Sequence, residues 1–280
     1  MTSHDVVNRV RRLTGLKKVG HAGTLDPFAT GLLIILVGRA TRLSGYFTSL
    51  DKSYRVVVQF GAASTTGDID GEITPVLPAG VTEAALSGLL PRFTGVIEQK
   101  VHRFSAVKVG GEALYRKARR GERVESPVRE VEICRLVLDS FDPAAQRAVL
   151  TVNCSKGTYI RQLCEDMAAG LGTSAYAVEL RRTRIGNFTT GDASSLDELA
   201  QLPPESLLSE ANPSFISCLG ALYFLPVREL DEKEARAVAA GRVIRGNEDG
   251  PVRLARGGRL MAIYGSGDNP GELRPLVVLA

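Results

Sequence analysis

One aspartate lies in a glycine-rich segment and is the first candidate for chemistry in the chain. Residues 20–31 read Gly-His-Ala-Gly-Thr-Leu-Asp-Pro-Phe-Ala-Thr-Gly, with Asp26 directly before Pro27. Proline favours an extended backbone in the residue before it, and the glycines permit sharp reversals and the close approach of another molecule. A carboxylate held in this way can act as a nucleophile or as a general acid or base. The same pattern also occurs in ordinary turns, so the residue types alone leave both interpretations open.

The basic residues are distributed unevenly around a small net charge. The 280 residues carry a net charge of +4, and only eight of the 35 basic residues are lysines. Residues 1–190 hold 26 basic and 18 acidic residues, giving +8, whereas residues 191–280 hold 9 and 13, giving −4. Residues 103–123 alone hold seven basic and two acidic residues. Arginine binds phosphate through paired hydrogen bonds, so this stretch is a candidate surface for a polyanion. A solvated helix face is the alternative.

Composition and cysteine spacing exclude several classes of protein. With 44% hydrophobic and 24% charged residues, the composition is that of a globular protein rather than a disordered one. The N-terminus has no apolar signal segment, and the apolar run at 32–37 is too short to span a membrane, so we expect a cytoplasmic protein without a membrane partner. Neither a zinc site nor a disulfide framework is predicted, because four cysteines show no paired spacing: Cys134, Cys154, Cys164 and Cys218.

Hydrophobic periodicity predicts an α+β fold with a large, mainly antiparallel sheet. Ser3 is a candidate cap for a first helix, in which Val6, Val7, Val10 and Leu13 fall at helical spacing. A segment rich in proline and polar residues at 203–213 predicts a boundary before a small β-rich module. Further helices are predicted at 82–90, 158–171 and 231–240, and strands at 32–37, 53–61, 129–141, 148–155, 175–186, 222–230, 252–255, 260–264 and 273–279.

The segment around Asp26 resembles the signature of a known family. The string at 20–33, followed by Gly-Arg-Ala-Thr-Arg at 38–42, is similar to that of the TruB pseudouridine synthases, which isomerise uridine 55 in the T-loop of tRNA. Segments 52–56, 105–108 and 154–161 resemble further family motifs in the same order, and the match extends over about residues 1–186. It implies a pseudouridine synthase domain at 1–213, with an RNA-binding insertion at about 75–125, and a PUA-like domain at 214–280.

The resemblance also implies roles for individual residues. Asp26 would be the catalytic carboxylate, Tyr54 would stack on the target base and assist proton exchange at its carbon 5, and Arg161 would pair with the carboxylate. By residue type alone, the favoured interpretation of Tyr54 is a strand aromatic and that of Arg161 a helix surface residue. The implied substrate-binding residues are His21, which would hold extruded nucleotides, Tyr159 and Leu180, which would line the pocket, and Lys108 and Arg42.

The expected partner is the T-arm of tRNA, bound by a monomer. Isomerisation involves no redox change and no incoming group, so neither a cofactor nor a metal is expected. A non-catalytic tRNA-binding or tRNA-folding protein of the same fold is the alternative. The acidic C-terminal module either contacts the acceptor end of tRNA through residues such as Arg242 and Arg245 or braces the larger domain.

Two features depart from the family pattern. The family opens with a strand carrying Asp-Lys-Pro, which is missing before Met1. Either the start codon is misassigned or the strand is absent, and we favour misassignment. The stretch Lys-Val-His-Arg at 100–103 stands where the family commonly has prolines, which affects the geometry of that loop rather than the chemistry.

Overall fold

A computed structural model describes residues 1–76, 80–122, 124–209 and 211–279. Its α-helices are α1 (Ser3–Thr14), α2 (Ser44–Thr48), α3 (Glu83–Leu89), α4 (Leu114–Arg119), α5 (Ile160–Gly170), α6 (Leu196–Gln201), α7 (Cys218–Ala221) and α8 (Glu232–Ala239). Its strands are β1 (Val19–His21), β2 (Thr30–Gly31), β3 (Ile35–Val37), β4 (Lys52–Phe60), β5 (Ala62–Ser64), β6 (Ile73–Pro75), β7 (Gly95–Lys100), β8 (Lys108–Val109), β9 (Glu112–Ala113), β10 (Val128–Asp142), β11 (Arg147–Cys154), β12 (Ala175–Ile185), β13 (Phe188–Thr189), β14 (Val227–Glu229), β15 (Ile244–Arg245), β16 (Val252–Arg256), β17 (Arg259–Ser266) and β18 (Glu272–Val278).

The chain divides into two compact units. The first unit contains Met1–Thr2, Leu25–Leu32 and Ser49–Gly191, and the second contains Ser3–Thr24, Leu33–Thr48 and Asp192–Ala280. The first 48 residues are therefore shared between the units. The predicted domain boundary between residues 213 and 214 stays a prediction.

The first unit is built on a seven-stranded sheet in the order β13-β12-β4-β11-β10-β7, with β2 paired to β12. The β2–β12 pair is parallel and the other pairs are antiparallel. In β4 the buried side chains Val56, Val58 and Phe60 alternate with more exposed ones, the period expected of a strand with one face on the core. Leu163 and Met167 of α5 belong to the same buried cluster, so that helix packs against the sheet.

The second unit has its own sheet and core. Its five-stranded sheet has the order β14-β16-β17-β18-β15, in which only the β14–β16 pair is parallel. Val238 of α8 is buried with Leu254 and Tyr264 of this sheet. Helix α8 begins with a capping box between Asp231 and Glu234, which satisfies two backbone N–H groups. A β-rich C-terminal sheet of this kind was predicted.

The α+β class and the long strands of the first unit are confirmed, and two predicted strands are shorter than expected. Of residues 32–37, only β3 at Ile35–Val37 is a strand, because Leu32 instead donates its N–H to the carbonyl of Arg182 at 2.8 Å. Of residues 222–230, only Val227–Glu229 is a strand. Turns precede it, and Pro226 lacks the N–H that a strand ladder needs.

The described residues contain neither a membrane-spanning helix nor a metal-binding cluster. No helix among them is long and apolar enough to cross a membrane. The same residues contain no group of histidine, cysteine, aspartate and glutamate side chains suited to a metal ion.

Candidate active site

The loop carrying Asp26 is fastened to the first unit's sheet. The Ala29 N–H donates to the Asp26 carbonyl at 3.0 Å and closes a tight turn, and Thr30 and Gly31 then pair with β12. Gly31 has φ +101°, and a Cβ there would lie 2.2 Å from the carbonyl oxygen of Arg182. Only glycine fits this backbone at this distance, so the sequence of the loop explains how Asp26 is held close to the sheet.

Arg161, in the first turn of α5, holds the Asp26 carboxylate. Its side chain is 4% exposed, and Nη2 donates to Asp26 Oδ1 at 2.7 Å. Nη1 donates to Asp68 Oδ2 at 2.9 Å, so one guanidinium lies between two carboxylates. The carbonyls of Thr66 and Phe104 accept further bonds from it, at 2.9 and 3.1 Å. These four hydrogen bonds fix the orientation of the planar, permanently charged Arg161 guanidinium.

Asp68 is a member of this cluster that the sequence analysis did not identify. Its side chain is 5% exposed and lies in the turn between β5 and β6. Oδ1 accepts from the Asp70 N–H at 3.1 Å and from the Thr66 hydroxyl, and the Ser64 hydroxyl donates to the Asp68 carbonyl. Asp68 follows two threonines and a glycine, a composition typical of any turn, so residue type gave no signal of its burial.

Burial raises the pKa of Asp26 above its ordinary value. Removal of water is the largest cause, and the Arg161 charge opposes it. The Asp68 carboxylate raises the pKa of Asp26 further, because two like charges disfavour each other's ionisation. Asp26 nevertheless keeps 32% of its side-chain exposure, so another molecule can reach it. The group combines access with a shifted pKa, which is common among functional carboxylates.

Tyr54 lies in the same unit, in the middle of its sheet. It is on β4, opposite Val152 of β11 and Arg182 of β12. Burial is the main cause that raises the pKa of its hydroxyl, and Arg182 opposes that effect. The Asp26 charge also raises the pKa of Tyr54, as the smallest of the causes. Tyr54 thus combines a half-buried ring with a polar environment.

Two basic residues beside Tyr54 were not assigned a role from the sequence. Arg182 is 1% exposed, and its Nε donates to the carbonyl of Leu32 at 2.8 Å, at the end of the Asp26 loop. Burial, followed by the Arg182 charge, lowers the pKa of Lys52 to about 8. Arg182 therefore both holds the end of the loop and opposes the rise in the pKa of Tyr54, whereas Lys52 donates to the carbonyl of Leu50.

The predicted pocket residues Tyr159 and Leu180 occupy different environments. Leu180 is 5% exposed and belongs to the core under the sheet. Tyr159 is half-buried at the start of α5, and its backbone exchanges two hydrogen bonds with the Gln99 side chain, at 2.8 and 3.1 Å. These bonds satisfy backbone groups at the helix start and so orient the turn that carries Arg161.

The remaining predicted substrate-binding residues are divided between the two units. Lys108 is exposed on β8 of the first unit. His21 and Arg42 belong to the second unit. His21 pairs with Ile35 in the β1–β3 ladder, and Arg42 donates to the carbonyl of Val278 in β18. Their proposed contacts with a substrate stay predictions.

The basic stretch at 103–122 forms β8, β9, α4 and the adjoining turns; Arg123 lies outside the described residues. Arg120 is engaged by Glu112 at 2.7 Å and by Glu122 at 2.6 Å. The guanidinium groups of Arg116 and Arg119 lie 5.9 and 5.7 Å from the Tyr115 ring centroid. The stretch therefore combines internal ion pairs with arginines held on an aromatic ring.

Comparison with solved structures places the fold in a known class. A chain in the structure of an H/ACA RNP bound to a substrate RNA containing 2′-deoxyuridine has a TM-score of 0.74 and 20% identity, over 100% of this chain and 82% of that one. A chain of the archaeal box H/ACA sRNP Nop10–Cbf5 complex has a TM-score of 0.73 and 21% identity, over 100% and 83%. Together with the two sheets, these matches confirm the predicted pseudouridine synthase fold with a PUA-like C-terminal part.

Sequence comparisons are more specific. The model of the TruB family pseudouridylate synthase N-terminal domain matches residues 11–160, and that of the tRNA pseudouridylate synthase B C-terminal domain matches residues 161–210. A tRNA pseudouridine synthase B from Thermobifida fusca (strain YX) is 43% identical over 100% of this chain and 94% of its own length. Another, from Azoarcus sp. (strain BH72), is 41% identical over 100% and 91%. The chain belongs to the TruB family of pseudouridylate synthases.

Proposed function

We propose that this chain converts a uridine of tRNA to pseudouridine, and that the uridine is position 55 of the T-loop. Family membership supports the reaction. The observation that carries the assignment of the site is the ion pair between Arg161 and the one-third exposed Asp26. We further propose a monomeric cytoplasmic enzyme, with a catalytic domain at 1–213 and a PUA-like domain at 214–280.

Asp26 is the group that acts on the ribose. The reaction breaks the bond between ribose C1′ and uracil N1, turns the base and rejoins it through C5. An ionised carboxylate either attacks C1′ or removes the 2′ proton to give a glycal, and both routes require the same group at the same place. Arg161 favours ionisation and directs Oδ1 through its 2.7 Å bond. Atoms are conserved within the nucleotide, so no cofactor or metal has a step to perform.

Tyr54 receives the base. A uridine stacked in a folded loop must be flipped out, at a cost of a few kcal/mol. Stacking on an aromatic ring offsets about 1–3 kcal/mol per base. The half-buried position of Tyr54 on β4 and its electrostatic coupling to Asp26 support this role, as well as proton exchange at C5. His21 then holds the displaced nucleotides, with Tyr159 and Leu180 lining the base pocket.

The basic stretch contacts the RNA backbone. Residues 75–125 are proposed as the RNA-binding insertion, with Lys108, Arg116 and Arg119 directed to phosphates and Arg42 as a further contact. The arginines on Tyr115 support this proposal, because an arginine held on a ring loses less freedom on binding. Affinity should then fall as salt concentration rises.

Release of tritium from tRNA containing 5-tritiated uridine tests the function. The wild-type chain should release tritium from a T-arm transcript, and Asp26→Asn should bind the transcript but release none. The exposed Asp70→Asn is the matched control and should react normally. Activity of Asp26→Asn would remove that residue from the chemistry, and binding without any release by the wild-type chain would favour the alternative of a tRNA-binding or tRNA-folding protein. Replacing only uridine 55 tests the position.

A further inference from the structure

His102 is a buried polar side chain beside the candidate site, with no role in the chemistry above. It is 2% exposed, in the loop between β7 and β8. Its Nε2 lies 3.9 Å from Glu165 Oε1 of α5. A Cβ on Gly67, the neighbour of Asp68, would lie 2.8 Å from the same Nε2. His102 therefore packs between the helix that carries Arg161 and the turn that carries Asp68.

The other ring nitrogen of His102 binds its own loop. Nδ1 accepts the N–H of Phe104 at 3.3 Å. A neutral imidazole has one nitrogen that accepts and one that donates, so this bond leaves the hydrogen on Nε2, the atom that faces Glu165. Nδ1 thus binds the loop at Phe104, while Nε2 faces Glu165 of α5 from 3.9 Å, beyond hydrogen-bond distance.

Phe104 in turn contacts the catalytic pair. Its carbonyl accepts from Arg161 Nη2 at 3.1 Å, and the same nitrogen donates to Asp26 Oδ1 at 2.7 Å. The position of the Phe104 carbonyl thus limits where Nη2 can lie. His102 Nδ1 is therefore linked to Arg161 Nη2 through Phe104, by one hydrogen bond at the Phe104 N–H and a second at its carbonyl. Arg161 Nη2 is the nitrogen that directs Asp26.

We propose that His102 is a positioning residue, whose Nδ1 holds the Phe104 carbonyl against Arg161 and so directs the Asp26 carboxylate. This inference rests on the proposed function of the Asp26 site. His102 touches neither Asp26 nor the substrate in this role. It acts on the rate of the chemical step rather than on tRNA affinity, since its contacts lead to Arg161 and Asp26 and His102 itself is 2% exposed.

Three substitutions separate the two ring nitrogens. In His102→Asn the amide oxygen stands near the Nδ1 position and can accept the Phe104 N–H, whereas His102→Gln places its polar end near Nε2, and His102→Ala removes both. Single-turnover pseudouridine formation and tRNA affinity are measured for each, with the exposed His4→Ala as the matched histidine control. Thermal unfolding is measured for each variant to check that it is folded.

We expect His102→Gln and His102→Ala to lose on the order of 10–100-fold in rate at unchanged tRNA affinity, the scale for a misplaced catalytic group. His102→Asn should keep most of the rate. Full activity of His102→Gln, or an equal loss in His102→Asn, would overturn the proposal. A loss of affinity instead of rate would also overturn it.

Nitrogen-15 spectra of the free protein test the geometry without activity. The chain has three histidines, so the signals missing in His102→Asn identify His102. The proposal requires an unprotonated Nδ1 and a protonated Nε2, and it requires the Arg161 guanidinium signals to move in His102→Gln. A protonated Nδ1 would refute it whether or not the protein forms pseudouridine. Inactive wild-type protein with the expected spectra would contradict the proposed function alone.

Discussion

Two arginines of the first unit each lie between two carboxylates, and their surroundings differ. Arg161 contacts Asp26 and Asp68 with 4% of its side chain exposed, whereas Arg120 contacts Glu112 and Glu122 with 49% exposed. The pKa of Glu112 is lowered, chiefly by the hydrogen bond from Arg120. The pKa of Asp26 is raised, because loss of water outweighs its arginine.

The comparison shows that pairing alone does not make a reactive group. An exposed ion pair remains solvated and contributes little, whereas a buried one leaves uncompensated charge when either partner is removed. In the Arg161 cluster, loss of either partner therefore affects Asp26, the carboxylate of the pair that another molecule can reach. The Arg120 cluster, which also joins one arginine to two carboxylates, remains exposed to solvent.

Removal of Arg161 should have the largest effect on stability and rate, and its contrast with removal of Arg120 distinguishes the two clusters. Arg161→Met leaves Asp26 and Asp68 without their cation, so we expect a loss of about 3–5 kcal/mol in the free energy of unfolding. Single-turnover pseudouridine formation should fall on the order of 100-fold or more. Urea unfolding and rapid-quench assays measure the two effects. An active, equally stable Arg161→Met would show that the cluster is dispensable.

The raised pKa of Asp26 predicts the direction of the pH dependence. The reaction needs the ionised carboxylate, so the single-turnover rate should fall as pH drops through the pKa of Asp26. That fall should occur above the value near 3.9 typical of aspartate, approaching tenfold per pH unit below it. Rate measurements from pH 4 to 8, with binding measured in parallel, test this. A rate that stays constant down to pH 4 would contradict it.

Asp68→Asn should lower the single-turnover rate less than Arg161→Met does. It should also shift the pH at which the rate falls on the acid side. Asparagine keeps an acceptor for Arg161 but removes the charge, so we expect a loss on the order of tenfold at saturating pH. The Asp68 charge raises the pKa of Asp26, so its removal should move the acid limb to lower pH. Asp70→Asn is the control. A limb that moves to higher pH would show that Asp68 acts mainly through the position of Arg161.

Arg120→Met should have the smallest effect. Its partners are exposed, and loss of a solvated pair should leave the melting temperature and the single-turnover rate unchanged. Only tRNA affinity at low salt should fall slightly, since one positive charge near the RNA is lost. A rate loss comparable to that of Arg161→Met would show that the two clusters do not differ as described.

Local patterns predicted most of the long strands of the first unit and the first helix of the second. The alternation in β4 and β11 follows from the two-residue period of a strand with one face on the core, and the helical spacing in α1 follows from its buried stripe. The patterns failed where a tertiary contact outweighed them. Leu32 pairs with Arg182, about 150 residues away, instead of extending the predicted strand.

For the site, the sequence by itself determined the candidate carboxylate Asp26 and its expected partners Tyr54 and Arg161. Each of the three lies in a short unbroken motif, which can be read without knowledge of the fold. Only the tertiary structure decided which groups surround them. Asp68 and His102 lie in segments of ordinary turn and loop composition, and their importance comes from burial against Arg161 and Gly67. Burial and charge coupling depend on distant segments that meet only in the fold, so they set the pKa of Asp26 in a way that no local pattern encodes.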